Sequence, residues 1–209
     1  GAVEGLRLCD VPRSDRLDEL RFDLPLAGGD LHGTQDFPWA IRGADFAATF
    51  SRRPGDAVMR QEYIDGLQRM DFGRLAGFLN GSIDLVFRDG GGGDARWYVA
   101  DYKSNRIDPE RTGTATLHSY APELVRWQME EHHYYVQYHL YSLALHRYLR
   151  WRLGTSYRYE AHFGGVYYLF FRGMVGPPAA GHASPGVFFD RPAFEVIDAC
   201  RSVNPRLSV

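Results

Sequence analysis

Lysine is almost absent from this sequence. Of its 24 basic residues, 23 are arginine and the remaining one is Lys103. Arginine replaces lysine easily on a surface, where either side chain supplies a solvated cation, but not at a site that needs a compact ammonium group. The position of the single lysine therefore marks Lys103 as a candidate for chemistry. The alternative is that it stands there by chance.

Cysteine and long apolar runs are also scarce. The two cysteines, Cys9 and Cys200, show neither disulfide nor metal-ligand spacing. The longest strongly apolar run, residues 166–171, is far too short to cross a bilayer, and the first residues lack the basic-then-apolar pattern of a secretory signal. We therefore expect a protein of the reducing cytoplasm that does not enter a membrane.

The charge balance argues against a broadly basic nucleic-acid binder, because the formal net charge is −2 at pH 7. A nuclease, however, gathers carboxylates where it holds metal ions, so the sum conceals local patches. The sequence has no Walker A motif and no H-E-x-x-H motif. It therefore gives no reason to expect an ATP site or a zinc-protease site.

Length and composition fit one domain over residues 1–209. With 44% hydrophobic and 14% aromatic residues, the chain can bury a core of ordinary size. A Gly/Asp-rich segment at residues 88–94 between two apolar stretches predicts a β-hairpin. Periodicity as a whole predicts an α/β domain, with strands over 17–26, 75–87, 97–103 and 164–171 and helices over 57–70, 122–153 and 193–200.

Three residues near the ends of the hairpin strands suit phosphodiester cleavage. This reaction needs an activated water and stabilisation of the charge that builds on the phosphate, and a divalent metal supplies much of both. Mg²⁺ prefers carboxylate and carbonyl oxygens and keeps several waters, so few protein ligands suffice. Strand pairing would bring Asp84 and Asp101 within reach of one ion, with Lys103 on the same face as Asp101. On spacing alone, the alternative is a surface ion pair.

Five ordered blocks of the sequence resemble the nuclease domain of RecB, which belongs to the PD-(D/E)xK superfamily. The resemblance covers roughly residues 17–191 and is far more specific than a lone D-x-K motif. It implies a restriction-endonuclease-like core, in which a central mixed β-sheet is flanked by helices. The blocks are Gly81–Phe87, Asp101–Asn105, Gln137–Tyr141, Ala144–Arg150 and His162–Phe170.

The resemblance also implies roles for individual residues. Asp84 and Asp101 match the metal-binding acids, and the backbone carbonyl of Tyr102 matches a further metal ligand. Lys103 matches the catalytic lysine, and Glu19 matches the upstream acid of the metal site. The expected ion is Mg²⁺, with Mn²⁺ able to substitute.

Gln137 and Tyr141 match the Q-x-x-x-Y element of RecB-type nucleases. Four residues apart on a helix, they would share a face from which they contact DNA or buttress the metal site. The alternative is that both are helix residues that simply pack on the sheet.

The resemblance implies a metal-dependent exodeoxyribonuclease that acts on linear single- and double-stranded DNA. Such proteins carry an ATP-driven helicase upstream and assemble with RecC and RecD to process double-strand ends in repair and recombination. RecB-type nucleases also use a histidine from a helix ahead of the first strand, and no histidine precedes Leu17 here. We therefore expect that the family's first helix is missing and that metal binding is weaker than in the intact protein.

Two rival interpretations stay open. One is a nuclease-fold module that no longer cuts and serves in DNA binding or subunit interaction. The other is a standalone PD-(D/E)xK exonuclease of the Cas4 or phage type, many of which carry a cysteine cluster. The retained acids and lysine argue against the first rival, and the two distant cysteines argue against the second.

Overall fold

The structure, a computed structural model, describes residues 6–25, 42–52, 58–70, 78–92, 95–110, 112–176 and 184–202. Its strands are β1 (Arg16–Pro25), β2 (Phe78–Asp89), β3 (Arg96–Lys103), β4 (Phe163–Phe170) and β5 (Val187–Asp190). Its helices are α1 (Gly43–Phe50), α2 (Gln61–Gln68), α3 (Pro122–Glu131), α4 (Tyr134–Leu153), α5 (Tyr159–His162) and α6 (Phe194–Ser202). Residues 26 and 75–77, at the ends of two predicted strands, lie outside the described ranges.

The five strands form one mixed sheet in the order β1-β2-β3-β4-β5. β2 pairs with β3 antiparallel, as the hairpin prediction required, and β3 pairs with β4 parallel. β4 pairs with β5 antiparallel. With helices before, between and after these strands, the structure confirms the predicted α/β class with a central mixed sheet.

The predicted helix over 122–153 is wrong in one respect, because the structure divides it into α3 and α4. The break falls at His132 and His133, and His133 has a φ of 52°, in the left-handed region that ends a helix. The carbonyl of His133 then accepts the first hydrogen bonds of α4, from Val136 and Gln137. Residues Glu130–His133 are all polar, but surface helices also carry polar residues, so this run did not by itself predict an end to the helix.

Two further boundaries differ from the prediction. The helix expected over 57–70 begins only at Gln61, since Arg60 has an extended backbone with ψ of 150°. β5 was not predicted, because its four residues follow a Gly/Pro-rich segment and are too short to show alternation. The remaining predicted strands and the final helix are confirmed within a few residues.

The chain divides into two compact units. The first comprises Gly1–Leu20, Ile83–Tyr138 and Glu160–Arg191, and the second comprises Arg21–Ser82, His139–Tyr159 and Pro192–Val209. The first unit contains β3, β4, β5 and α3 in full, together with Ile83–Asp89 of β2 and the first turn of α4. It therefore holds the candidate residues on β2 and β3.

Every residue of β4 is buried, so β4 is covered on both faces. One face holds a cluster of Val11, Leu85, Phe87, Tyr98, Ala100, Tyr167 and Leu169. The other face carries Tyr168 and Phe170, which contact the ring of Tyr134 at centroid distances of 5.5 and 6.4 Å. Because side chains alternate along a strand, this second face also receives Asp101 and Lys103 from β3.

The parallel pairing of β3 and β4 depends on a glycine. A Cβ atom at Gly164 would lie 2.3 Å from ring carbons of Tyr98, which real contacts do not allow. The ring of Tyr98 in turn stacks on Phe87 at 5.1 Å with an interplanar angle of 16°. Gly164 thus lets the aromatic cluster lie flat against β4.

In the second unit, α1 and α2 approach closely because Gly43 has no side chain. Its N–H donates to the carbonyl of Met70 at 3.1 Å. His139 on α4 is fully buried, with its ring 4.5 Å from that of Phe50. His146 is also buried and lies 2.9 Å, Nδ1 to hydroxyl, from Tyr157. These two histidines therefore belong to the core of this unit.

Candidate active site

The two acids lie just beyond the last residue pair between β2 and β3. The antiparallel register ends at Leu85 opposite Ala100, and the next residue on each strand is Asp84 and Asp101. Residues opposite each other in such a pair project to the same face. The backbone N–H of Tyr102 donates to Asp84 Oδ2 at 2.9 Å, which holds the Asp84 carboxylate against β3. The hairpin therefore places side by side two acids that are 17 residues apart in the sequence.

Lys103 extends from the same strand into a nearly closed environment. Its side chain is 12% exposed, and its Nζ lies 2.6 Å from Asp101 Oδ1, whose own side chain is 4% exposed. The ammonium also donates to Gln137 Oε1 at 3.0 Å. It lies 4.1 Å from the ring centre of Tyr134 and 5.1 Å from that of Tyr168, within the range of cation–π attraction. Two acceptors and two rings thus fix its position.

Gln137 is itself held in place. Its Oε1 accepts a second hydrogen bond, at 2.9 Å, from the hydroxyl of Tyr168 on β4. The hydroxyl of Tyr134 donates to Asn105 Oδ1 at 3.1 Å, so this ring is tied to the loop that follows β3. The first turn of α4 therefore presents Tyr134 and Gln137, three residues apart on one helical face, to Lys103.

Burial raises the pKa of the Asp101 carboxyl. Desolvation is the largest cause and raises the pKa of this carboxyl, the hydrogen bond and charge of Lys103 oppose the rise, and the charge of Asp84 adds to it. The Lys103 ammonium is the only polar partner of Asp101 Oδ1 among the described residues. The ion pair with Lys103 therefore opposes the rise in pKa that burial causes.

Tyr102 lies between these residues on the other face of β3, with its side chain 47% exposed. Desolvation raises the pKa of its phenol, Arg16 lowers it, and Asp18 and Asp84 raise it. Asp18 is thus a further acid near this strand end that the sequence did not single out. The role of the Tyr102 carbonyl as a metal ligand stays a prediction.

Two candidates are not joined to these contacts. The side chain of Glu19 is exposed, and among the described residues it forms no hydrogen bond or ion pair. Its φ of 52° marks a local irregularity in β1. Tyr141 belongs to the second unit, where it is buried and its ring meets Phe22 edge-on at 5.7 Å. The predicted roles of both residues stay predictions.

The donor set suits a hard divalent cation that keeps part of its water shell. Among the described residues, neither Asp84 Oδ1 nor Asp101 Oδ2 forms a hydrogen bond, so each carboxylate retains one oxygen for a metal. The same ranges contain no group of three or more histidine, cysteine or acidic side chains that could bind a metal. Two carboxylates with water fit Mg²⁺ or Mn²⁺ and do not fit a structural zinc site.

Sequence reasoning missed the two aromatic residues that enclose Lys103. Tyr134 could have been found, because it lies one helical turn before Gln137 and faces the same way. Tyr168 could not, because its place opposite Asp101 follows from the parallel register of β3 and β4. No pattern in either segment encodes that register.

Two acids and a lysine on adjacent strands, in a mixed sheet flanked by helices, define an α/β domain of the restriction-endonuclease-like class. Comparison with known proteins identifies the family within that class. The RecBCD enzyme subunit RecB of Mycobacterium tuberculosis is 40% identical over 204 residues, 95% of this chain. RecB of Haemophilus influenzae is 43% identical over 130 residues, or 62% of the chain, and RecB of Escherichia coli is 42% identical over 139 residues, or 66%.

The chain belongs to the RecB family, and the predicted resemblance to its nuclease domain is confirmed. It spans 17%, 9% and 10% of the lengths of the M. tuberculosis, H. influenzae and E. coli proteins, respectively. No protein-family model matches the chain. Within the described residues, no helix is long and apolar enough to span a membrane.

Proposed function

We propose that this chain hydrolyses DNA phosphodiester bonds with the help of Mg²⁺, as the nuclease module of a RecBCD-type helicase–nuclease in double-strand break repair and recombination. The observation that carries the proposal is the placement of Asp84, Asp101 and Lys103 on the adjacent strands β2 and β3. The ammonium of Lys103 lies 2.6 Å from Asp101, in a site nearly closed to solvent. The family supports the same conclusion, because the relatives are RecB subunits.

Asp84 and Asp101 would hold the metal through the oxygens that other contacts leave free. The bound ion supplies activation of water and neutralisation of charge on the phosphate. Mn²⁺ can replace Mg²⁺ at such a site because it accepts the same oxygen ligands. The Tyr102 N–H, bonded to Asp84, keeps that carboxylate turned toward β3. Tyr102 through its carbonyl and Glu19 as the upstream acid are proposed as additional ligands.

Lys103 acts as a fixed positive charge. Its contacts with Asp101 and Gln137 restrict the ammonium to one place, so little reorganisation is needed when negative charge develops on the scissile phosphate. The rings of Tyr134 and Tyr168 exclude water from one side of the ammonium. The lysine is thus prepared to stabilise the transition state, or to hold the attacking water, without leaving its acceptors.

The assembly around this domain is also part of the proposal. The relatives are named as subunits of the RecBCD enzyme and are much longer than this chain. We therefore propose that the protein acts with RecC- and RecD-like subunits on linear single- and double-stranded DNA.

A cleavage assay tests the nuclease proposal. Linear single- and double-stranded DNA is incubated with the purified protein in Mg²⁺, in Mn²⁺ or in EDTA, beside the variants Lys103→Ala and Arg126→Gln. Arg126 is an exposed residue of α3 and serves as the matched control. We expect cleavage with either metal, none in EDTA, and a loss of at least about 100-fold in Lys103→Ala alone.

Cutting in EDTA, or full activity in Lys103→Ala, would refute the mechanism. DNA binding without any metal-dependent cutting by the unaltered protein would instead favour the rival function, a nuclease-fold module that binds DNA or a partner subunit.

A further inference from the structure

A cleft of about 510 Å³ opens beside the segment that follows β3. Its walls include Arg106, Thr114, Thr116, Leu117, Tyr120 and Arg172, all in the first unit. This volume falls within the range of about 300–1,000 Å³ that is usual for sites of small ligands. The mechanism described above uses none of these side chains.

Two arginines give the cleft a positive character. Arg172 donates from Nε to the carbonyl of Ser104 at 2.8 Å, which fixes it to the residue next to Lys103. Among the described residues, Arg172 forms no ion pair. Arg106 is only weakly paired, 4.0 Å from Asp108, and half of its side chain is exposed. Because a guanidinium carries five N–H donors, most donors of both groups have no partner among the described residues and could bind an anion.

The carboxylate of Asp108 already accepts hydrogen bonds from a loop that also lines the cleft. It accepts hydrogen bonds from the backbone N–H of Thr112 at 3.0 Å and of Gly113 at 2.7 Å. Although desolvation opposes it, these bonds and the charge of Arg106 lower the pKa of Asp108. Asp108 therefore shapes the loop and neutralises Arg106 only in part.

The cleft and the candidate active site are both hydrogen-bonded to Asn105. Tyr120 in its wall is buried, and its hydroxyl donates to the carbonyl of Asn105 at 3.1 Å. The side chain of Asn105 accepts from Tyr134, whose ring lies against the Lys103 ammonium. One asparagine thus links the wall of the cleft to the aromatic ring that positions the lysine.

Apolar surface completes the cleft. Leu117 is 46% exposed and Val175 is 52% exposed, which is high for aliphatic side chains that line a concavity. Two cationic forks beside an apolar wall match the chemistry of a nucleotide, which has an anionic phosphate and a largely apolar sugar and base face.

We propose that this cleft is a subsite for one nucleotide of the DNA strand, next to the bond that is cut. Arg106 and Arg172 bind its phosphate, and Leu117 and Val175 contact its sugar or base. This inference rests on the proposed nuclease function and adds residues outside the acids and the lysine. It assigns the strand a path that continues from Lys103 along the segment after β3.

The test measures binding in EDTA, so that no cleavage occurs. The probe is a fluorescent oligo(dT) of about 12 nucleotides, titrated by anisotropy over a series of salt concentrations. The variants are Arg106→Gln and Arg172→Gln, with Arg126→Gln as the exposed control on the same unit. Affinity for DNA falls as salt rises, and removing one phosphate contact makes the slope of log affinity against log salt less steep by about 0.7. We expect that change in each cleft variant, with affinity about 3- to 10-fold weaker.

The same preparations are tested for cleavage in Mg²⁺ and for thermal unfolding. Slopes and affinities equal to those of Arg126→Gln would overturn the subsite, and continued cutting by the unaltered protein would show that the nuclease function stands without it. Failure of the unaltered protein to bind or cut DNA would overturn both. If Arg172→Gln unfolds early, Arg106→Gln decides, because that side chain forms no hydrogen bond among the described residues.

Discussion

Gln137 has two possible roles, and its contacts allow a choice between them. If it contacts DNA, its removal weakens substrate binding. If it positions Lys103, its removal slows the chemical step and leaves binding intact. In the structure Gln137 Oε1 accepts hydrogen bonds from both Lys103 and Tyr168, at 3.0 and 2.9 Å. That oxygen is therefore committed to the protein, which favours the positioning role.

The variant Gln137→Met keeps the length of the side chain and removes this acceptor. The bond from the Lys103 ammonium is charge-assisted and worth about 1.5–3 kcal/mol. If this amount is lost in the transition state, the rate falls roughly 10- to 100-fold. Lys103 would not leave the site, since its contact with Asp101 remains. We therefore expect partial loss of activity, less than in Lys103→Ala.

Single-turnover cleavage in Mg²⁺ gives the rate of the chemical step, and anisotropy in EDTA gives the affinity for DNA. Tyr168→Phe is the matched control, because it removes the neutral bond to the same oxygen and leaves the one from Lys103. We expect an effect of about threefold or less in that variant. An unchanged rate with weakened DNA binding in Gln137→Met would refute the positioning role and assign Gln137 to the substrate.

Three further predictions concern the folded chain. Burial raises the pKa of Cys200 to about 12, so a thiol reagent at pH 8 should modify exposed Cys9 in the native protein and both cysteines only after unfolding. The unfolded Cys200 thiol ionises near pH 9, whereas the folded one does not, so the free energy of unfolding should fall as the pH rises from about 9 toward 12. Urea unfolding measures this fall, which should be less steep in Cys200→Ala. Gly164→Ala should destabilise the protein by about 1–3 kcal/mol in the same assay because its Cβ would overlap the ring of Tyr98. Gly91→Ala, with nothing within 4 Å of its Cβ, should be close to neutral, and equal effects of the two would contradict this account of β4.

Local pattern predicted how the acids and the lysine lie on the hairpin, whereas their roles were implied only by the resemblance to the RecB nuclease domain. A strand alternates its faces, so Asp101 and Lys103 had to share one, and a Gly/Asp-rich turn had to return the chain from β2 to β3. These two facts predicted the pairing that places Asp84 beside Asp101. The assignment of these residues to a site still needed the resemblance, because spacing alone left a surface ion pair as the alternative.

The rest depended on contacts between segments far apart in the sequence. The register of β3 against β4 sets Tyr168 opposite Asp101, although 67 residues separate them. The break at His133 was equally hidden, because polar residues such as Glu130–His133 also occur within surface helices and no glycine marks the positive φ of His133. Since α4 begins directly after this break, Tyr134 and Gln137 occupy its first turn, where they reach Lys103. The helix that pattern predicted as continuous is therefore divided next to the candidate site.

The geometry around Lys103 explains why lysine is kept at this position although arginine replaces it elsewhere. A general replacement of lysine by arginine is tolerated wherever the cation is solvated, and 23 basic positions carry arginine. At position 103 the cation lies 2.6 Å from one acceptor and 3.0 Å from another, with one ring centre at 4.1 Å. A planar guanidinium is larger than an ammonium and directs its donors in a fixed fork, so it cannot satisfy these contacts in the same space. The only lysine stands at a position where these contacts fit an ammonium better than a guanidinium, which favours the prediction of a chemical role for Lys103 over chance.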